Sequence, residues 1–403
     1  MRSRPKRIGV FLTLGLLAGL LVVPHTARAQ ATVNVQVGGF LGEGTNVPSD
    51  SMRFFVPDGA LSVHAGDTVN FGFQGFHTAT LLPANTDADQ WVADNTGGLD
   101  KPWSIVVADP DDVGEPGSSA AKPPGKFNNA VGFPTDPTCG ADPTTPCDYD
   151  GTSVLNSGAF GGPTFAATIN ANPGDTIWVV CLIHPNMRMQ INVVADTEPT
   201  TTQAEIDAYQ TATFAADKAR AAAKHRQLVD KTVKRRVGGK VVWRAFAGFD
   251  AEGYALIAMY PRTLPIKKGH FVKFRFDQLI YEDHTVTFPK SRAREIFRND
   301  FLPGCDPDGD TGPGPDNPPD TQEPPFCNDP TQLELDISAF TIHKHGDNKI
   351  RSTRDFATSG VRGHAALNFD PYQLKFTRRS DRKGYKYMCL IHGPFQSGKV
   401  VVR

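Results

Sequence analysis

The sequence predicts an all-β protein of two tandem β-sandwiches with long loop insertions, joined by an α-helical linker. Three observations carry this. Short runs rich in Val, Phe, Ile and Thr alternate with Gly/Pro/Asn/Asp clusters through most of the 403 residues, as in antiparallel sandwiches. Two distant segments share one plan: ALSVHAGDTVNFGFQGFHTATLLP alternates apolar residues up to His77, and TLPIKKGHFVKFRFDQLIYEDHTVTFP does so up to His284. Finally, Cys-Leu-Ile-His occurs twice, at 181–184 and 389–392, with His77 lying 104 positions before Cys181 and His284 lying 105 before Cys389. Matched spacing on this scale marks a tandem duplication.

Taken in order, residues 1–29 read as a signal peptide. A basic stretch (MRSRPKR) precedes the apolar run IGVFLTLGLLAGLLVV and an A-x-A cleavage site at Ala27-Arg28-Ala29. The apolar run is short for a membrane span and no second run of spanning length follows. The expectation is an exported protein, periplasmic or at the cell surface, with no transmembrane segment in the mature chain. Residues 30–198 form the first sandwich, with an irregular insertion over about 84–163. Residues 199–236 read as a helical linker, with Thr202 and Glu205 in capping-box spacing and abundant alanine. Its second half is basic (Lys218, Arg220, Lys224, Arg226, Lys231, Lys234, Arg235, Arg236) and reads as a solvated spacer; the alternative is a docking surface for an acidic partner. Residues 237–403 form the second sandwich, with an insertion over about 290–363. With 42 Lys+Arg against 43 Asp+Glu, the net charge of −1 points to no nucleic-acid partner.

Export makes disulfides stable. Of the six cysteines, Cys139 and Cys147 share one polar Pro/Gly-rich loop and Cys305 and Cys327 share another, so two local bridges are expected. Cys181 and Cys389 end apolar strands and remain as functional thiolates. With an upstream histidine, a Cys-x-x-His pair and, in WVVCLIHPNMRMQINVV, a methionine, the first set offers one thiolate, two imidazoles and one thioether. That donor set suits copper in a type 1 electron-transfer site, since thiolate and thioether favour the reduced ion and imidazole accepts the oxidised one.

These residues resemble the cupredoxins, specifically plastocyanin/amicyanin-like blue copper proteins: Cys-x-x-His-Pro-x-Met looks like the amicyanin-type ligand loop, and Gly66-Asp67-Thr68-Val69 matches the strand before the first histidine. The resemblance covers both halves apart from insertions and linker. It implies Greek-key β-sandwiches with one copper per domain, held in the first by His77, Cys181, His184 and Met187. Met189 is the alternative axial ligand. In the second, His284, Cys389 and His392 align and Phe395 takes the axial position, so that site is expected to be the more oxidising. Electrons would enter through the exposed edge of His184 or His392, with Pro185 and Pro394 in a small patch for transient redox partners.

Other features are weaker. His343 and His345 form an H-x-H pair, Asp306, Asp308 and Asp310 resemble part of a calcium loop without its Gly and Glu, and His64, His270 and His364 have no evident partner. A storage or scaffold protein with a metal-free second domain, and a relative of multicopper oxidases or nitrite reductases, are the alternative readings. The residues flanking both cysteines are Val180, Leu182, Met388 and Leu390, none of them histidine, and six histidines are left over, fewer than the eight of a trinuclear centre. The expectation is therefore an electron carrier and not an enzyme.

Overall fold

The strands sort into two pairs of sheets with the same internal order, in a computed structural model that describes residues 29–42, 47–98, 100–108, 125–297, 348–365 and 367–403. In the first half, Thr32–Gly38, Thr68–Gln74, Thr164–Ile169 and Cys147–Tyr149 make one sheet; Ala60–His64, Arg188–Val194, Thr176–Val180, Thr80–Leu81 and Leu155–Asn156 make the other. The second half repeats this. Lys240–Ala251, Phe271–Arg275, Tyr372–Phe376 and Lys349–Ile350 follow one another in one sheet, and Thr263–Ile266, Ser397–Val402, Tyr385–Met388, Thr287–Phe288 and Ala357–Thr358 in the other. The described residues are mostly β with few helices, as a cupredoxin-like sandwich requires.

The sheets are mixed rather than antiparallel. Thr32–Gly38 runs parallel to Thr68–Gln74, and Lys240–Ala251 runs parallel to Phe271–Arg275. In each case the chain visits the facing sheet (Ala60–His64 or Thr263–Ile266) before returning, so it re-enters its first sheet in the original direction. Alternation along Arg188–Val194 buries Met189, Ile191 and Val193 while their neighbours stay half-exposed. The first core is rich in Val and Leu around Phe71, whereas the second is a stack of Phe274, Phe288, Phe376 and Tyr387.

Ala31–Arg403 packs as one compact body. The strand Ser49–Ser51 pairs antiparallel with Tyr254–Leu256, so a first-half segment extends a second-half sheet and Asp50 sits at the seam. The long helix Gln203–Leu228 begins with the expected capping box at Thr202 and Glu205. It is not a solvated spacer. Gln203 Oε1 accepts from Asn34 N at 2.7 Å, His225 Nδ1 lies 2.9 Å from the Tyr260 hydroxyl, and Ala221 joins Leu41, Tyr254, Leu256 and Tyr260 in a third apolar cluster. Nor does it reach residue 236. It stops at Leu228, and Val233–Val237 forms a hairpin with Lys240–Ala251 through Gly238-Gly239, both at positive φ (55° and 75°) as the tight two-residue turn demands. The basic residues Lys234, Arg235 and Arg236 are thus on a strand.

At the centre of this helix Asp217 is buried and ion-paired to Arg53 (Nε to Oδ2 2.7 Å) and to Arg220. Asp217→Ala would leave Arg53 with only the 4.0 Å contact to exposed Glu252. Breaking such a pair costs about 2–4 kcal/mol once the partial exposure of the arginines is allowed for. The expected result is a lower thermal midpoint, checked by calorimetry, with Arg53→Leu/Asp217→Leu recovering most of the loss.

Cys139 and Cys147 form a disulfide, and Cys181 and Cys389 are free and buried, as expected. Cys305, Cys327, His343, His345, Asp306, Asp308, Asp310 and residues 1–28 lie outside the described residues. No helix among the described residues is long and apolar enough to cross a membrane.

Candidate metal centres

Each centre is built from a histidine after one strand and the loop after another. His77 opens the sequence His-Thr-Ala-Thr, and His284 opens His-Thr-Val-Thr. The threonine after each histidine clamps the second loop. Thr78 N donates to Cys181 Sγ (3.3 Å) while its hydroxyl accepts from Leu182 N (2.8 Å); Thr285 does the same for Cys389 (3.2 Å) and Leu390 (2.7 Å). A second threonine backs the first, Thr80 at 3.2 Å and Thr287 at 3.3 Å. These repeated threonines explain a motif that carries no donor of its own.

The clamps bring together the residues the sequence singled out. In the first centre His77 Nδ1 and His184 Nδ1 are 3.2 Å apart, and Cys181 Sγ is 3.9 and 3.6 Å from them. In the second, His284 Nδ1 and His392 Nδ1 are 3.1 Å apart and Cys389 Sγ is 3.7 Å from His392 Nδ1. Among the described residues these are the two groups of three or more metal-ligating side chains. Bonds of about 2.0 Å to nitrogen and about 2.3 Å to sulfur around one ion would set donors about 3.3–3.7 Å apart. The two triads fit a single ion each.

Room for the upstream histidines comes from glycine. A Cβ on Gly38 (φ 71°) would lie 2.2 Å from His77 Nε2, and one on Gly248 (φ 76°) would lie 1.9 Å from His284 Nε2. Gly248 also marks a bulge in its strand, between Ala247 and Phe249. Both Nε2 atoms are buried and make no hydrogen bond.

The fourth position differs between the centres. Met187 is buried, donates its N–H to His184 O (2.7 Å) and accepts from Cys181 N (2.9 Å), which closes the loop beside the thiol. Met189 belongs to the alternating core face of its strand. In the second centre Phe395 is 86 % exposed, so its expected axial place is corrected. The residue whose carbonyl accepts from Cys389 N (3.0 Å) is Gln396, and its side chain is fully buried with neither amide atom hydrogen-bonded. The short turn Gly393–Phe395 makes this loop one residue longer, which moves Phe395 out and Gln396 into the place of Met187. The signal available in the sequence was a polar residue at the foot of an apolar strand, one step past the aligned position. An unpartnered buried amide costs about 1–3 kcal/mol, so its oxygen calls for a hydrogen-bond donor or a cation to take its lone pairs, and a metal ion would serve.

The outer edges of His184 and His392 do not face solvent as expected. Both meet Glu282, another residue that sequence reasoning missed: His392 Nε2 is 3.1 Å from Oε2 and His184 Nε2 is 3.5 Å from Oε1. Burial pushes the Glu282 carboxyl up, but the charges and hydrogen bonds of the two imidazoles outweigh it and hold it well below the usual range. Burial lowers both histidines, yet Glu282 and the adjacent thiolate raise them, His184 well above its ordinary value and His392 to about 10. Burial likewise raises both thiols, and the neighbouring imidazoles reverse this so that Cys181 and Cys389 lie well below theirs. An ionised Glu282 has no proton to give, so the facing Nε2 atoms carry theirs; a cation bound in the triad would take the place of the proton on each Nδ1.

Among the remaining residues, Pro185 is buried and only Pro394 of the expected docking pair is exposed. His64 Nε2 contacts Glu198 O (2.8 Å), His270 Nδ1 accepts from Trp243 Nε1 (2.9 Å), and His364 Nε2 lies 2.9 Å from Asn186 Nδ2. Each of the three thus has a partner within the fold.

No protein-family model matches the chain, and no curated protein matches it. Solved structures similar to it include the multicopper oxidase mgLAC (12 % identity, TM-score 0.17) and a blue copper oxidase from Nitrosomonas europaea (11 %, 0.18), each over 64 % of both chains. A Cu-containing nitrite reductase from Thermus scotoductus is 13 % identical over 93 % of this chain and 69 % of its own, with TM-score 0.19. The chain thus spans less than two thirds of the two oxidases. These neighbours are enzymes, and the expectation of a non-enzyme is withdrawn on that finding. At such TM-scores the likeness argues for no activity of this chain.

Proposed function

We propose that this chain is an exported two-domain copper protein that moves single electrons, with one type 1 copper in each half. His77, Cys181 and His184 hold the first ion with Met187 as axial donor; His284, Cys389 and His392 hold the second with Gln396. Copper in such a set supplies one-electron chemistry between its +1 and +2 states with little rearrangement. The observation that carries the reading is that one donor triad is built twice, with all donor atoms within 4.8 Å of one another, beside a fourth residue whose carbonyl caps the cysteine N–H in both halves. The fourth residue favours copper over structural zinc, because a thioether or amide is a poor substitute for the strong fourth ligand of a closed zinc site.

Each residue has a definite task. The thiolates bind the ion, the threonine pairs hold the ligand loops rigid, and burial keeps water from a fifth position. Met187, a soft donor, favours the reduced ion, whereas the harder amide oxygen of Gln396 favours the oxidised one. The first centre is therefore the more oxidising, the reverse of the order expected with Phe395 in the axial place. Exposed Pro394 and Phe395, next to His392, form an apolar lip where a transient redox partner can deliver electrons to the second centre.

The test is copper content, visible absorption and redox titration of the mature protein. Two coppers per chain, an intense thiolate-to-copper band and two separate midpoints are expected, with Gln396→Met raising the lower midpoint towards the upper. Bound copper that does not cycle reversibly would make the chain a copper-binding scaffold, and absence of copper would overturn the reading.

A further inference from the structure

The loop histidines of the two centres, His184 and His392, converge on one carboxylate, and nothing in a single cupredoxin-like half calls for this. Glu282 reaches His392 at 3.1 Å and His184 at 3.5 Å through its two separate oxygens. Its place is built. Asp250 Oδ2 accepts the backbone N–H groups of Ile280, Tyr281 and Glu282 (2.9, 2.8 and 3.0 Å), which pins the segment that carries it. From the other side, Asn186 of the first ligand loop donates to Ile280 O at 2.6 Å, tying that loop to the same segment. The position is also asymmetric: Glu282 stands two residues before His284, and its counterpart two residues before His77 is Gly75. Of the carboxylates at the seam, Glu282 is the one in contact with both imidazoles; Asp50 and Asp250, nearby, are pushed up by burial and, less, by the Glu282 charge.

We propose that Glu282 is the bridge by which the two centres exchange electrons, acting as a shared outer partner of His184 and His392. This rests on the two-copper reading above. A carboxylate behind a ligating histidine fixes its ring and raises its donor strength; here a single group does so for both centres, so His392 Nε2–H, the carboxylate and His184 Nε2–H form one short polar path across the seam. With copper bound, the centre that holds Cys389 would be oxidised by one electron and the centre that holds Cys181 reduced by one. No bond breaks, and Glu282 neither gains nor loses a proton overall.

The experiment compares wild-type protein with Glu282→Gln and Glu282→Leu, all copper-loaded. Read first are copper per chain, the thiolate-to-copper bands and both midpoints, then the rate at which an electron introduced by flash photoreduction redistributes between the centres. In Glu282→Gln the amide keeps the shape but sets an N–H donor against an imidazole N–H, so one link breaks; in Glu282→Leu both break. With both coppers retained, redistribution should slow by roughly 10–100-fold in Glu282→Leu, the usual penalty for losing such a carboxylate, and by less in Glu282→Gln. An unchanged rate with both bands present overturns the bridge while leaving the two-copper reading intact. Should Glu282→Leu lose copper, Glu282→Gln alone decides by the same rate. Wild-type protein without two redox-active coppers would instead overturn the reading on which the bridge depends.

Discussion

Cys181→Ser should lower bound copper by about half and remove the more oxidising midpoint, while Cys389→Ser should lower it equally and remove the other. Serine can still accept the Thr78 or Thr285 N–H, so the fold loses little. What it cannot supply is a soft anion: its hydroxyl stays protonated where the cysteine, flanked by two imidazoles, is held as a thiolate. Without that charge the ion has two neutral nitrogens and a weak axial donor, too little to bind copper in a dry site. The two variants also separate the axial assignments, because the surviving centre reports its own midpoint alone. Metal that binds only the folded chain adds to its stability by mass action, so each variant should melt below wild type in copper and at nearly the same temperature after chelation. Copper content unchanged in Cys181→Ser would remove that residue from the ligand set.

The parts of these centres that were legible in the sequence are those set by local spacing. Cys181 and His184, or Cys389 and His392, lie on one loop, and the duplicated distances to His77 and His284 marked the third member of each set. The threonines were visible as a repeat without a stated purpose, since their role as clamps depends on contacts 103–105 positions away. Gln396 was missed because alignment by counting puts Phe395 opposite Met187, and one extra residue in a turn cannot be seen without the backbone hydrogen bond to Cys389. Glu282 lay beyond reach for a different reason. Its meaning comes from His184 and His392, 98 and 110 positions away, across a seam that no periodicity encodes. The helix boundary failed by a more ordinary route: basic residues extend an alanine-rich pattern, and the Gly238-Gly239 pair, a hairpin signal, falls just past the boundary set at residue 236.

Gly248→Ala should empty the second centre and leave the first occupied. Two penalties act at this position and they can be separated. An alanine at φ 76° bears the left-handed backbone cost of about 1–2 kcal/mol, which a protein of this size tolerates. The larger penalty is steric: the new Cβ would lie 1.9 Å from His284 Nε2 and 2.4 Å from Cδ2, and the ring is fully buried. The imidazole must swing away, which takes Nδ1 off the triad with Cys389 and His392. Gly239 supplies the control. It has nearly the same φ, 75°, but nothing lies within 4 Å of a Cβ placed there. Gly239→Ala should therefore lower the thermal midpoint slightly and keep both coppers, whereas Gly248→Ala should lose about half the copper and the less oxidising midpoint. Equal copper in the two variants would mean that His284 is free to move without loss of the ion, and the rigid glycine-framed pocket would no longer explain why each half places a positive-φ glycine beside its upstream histidine.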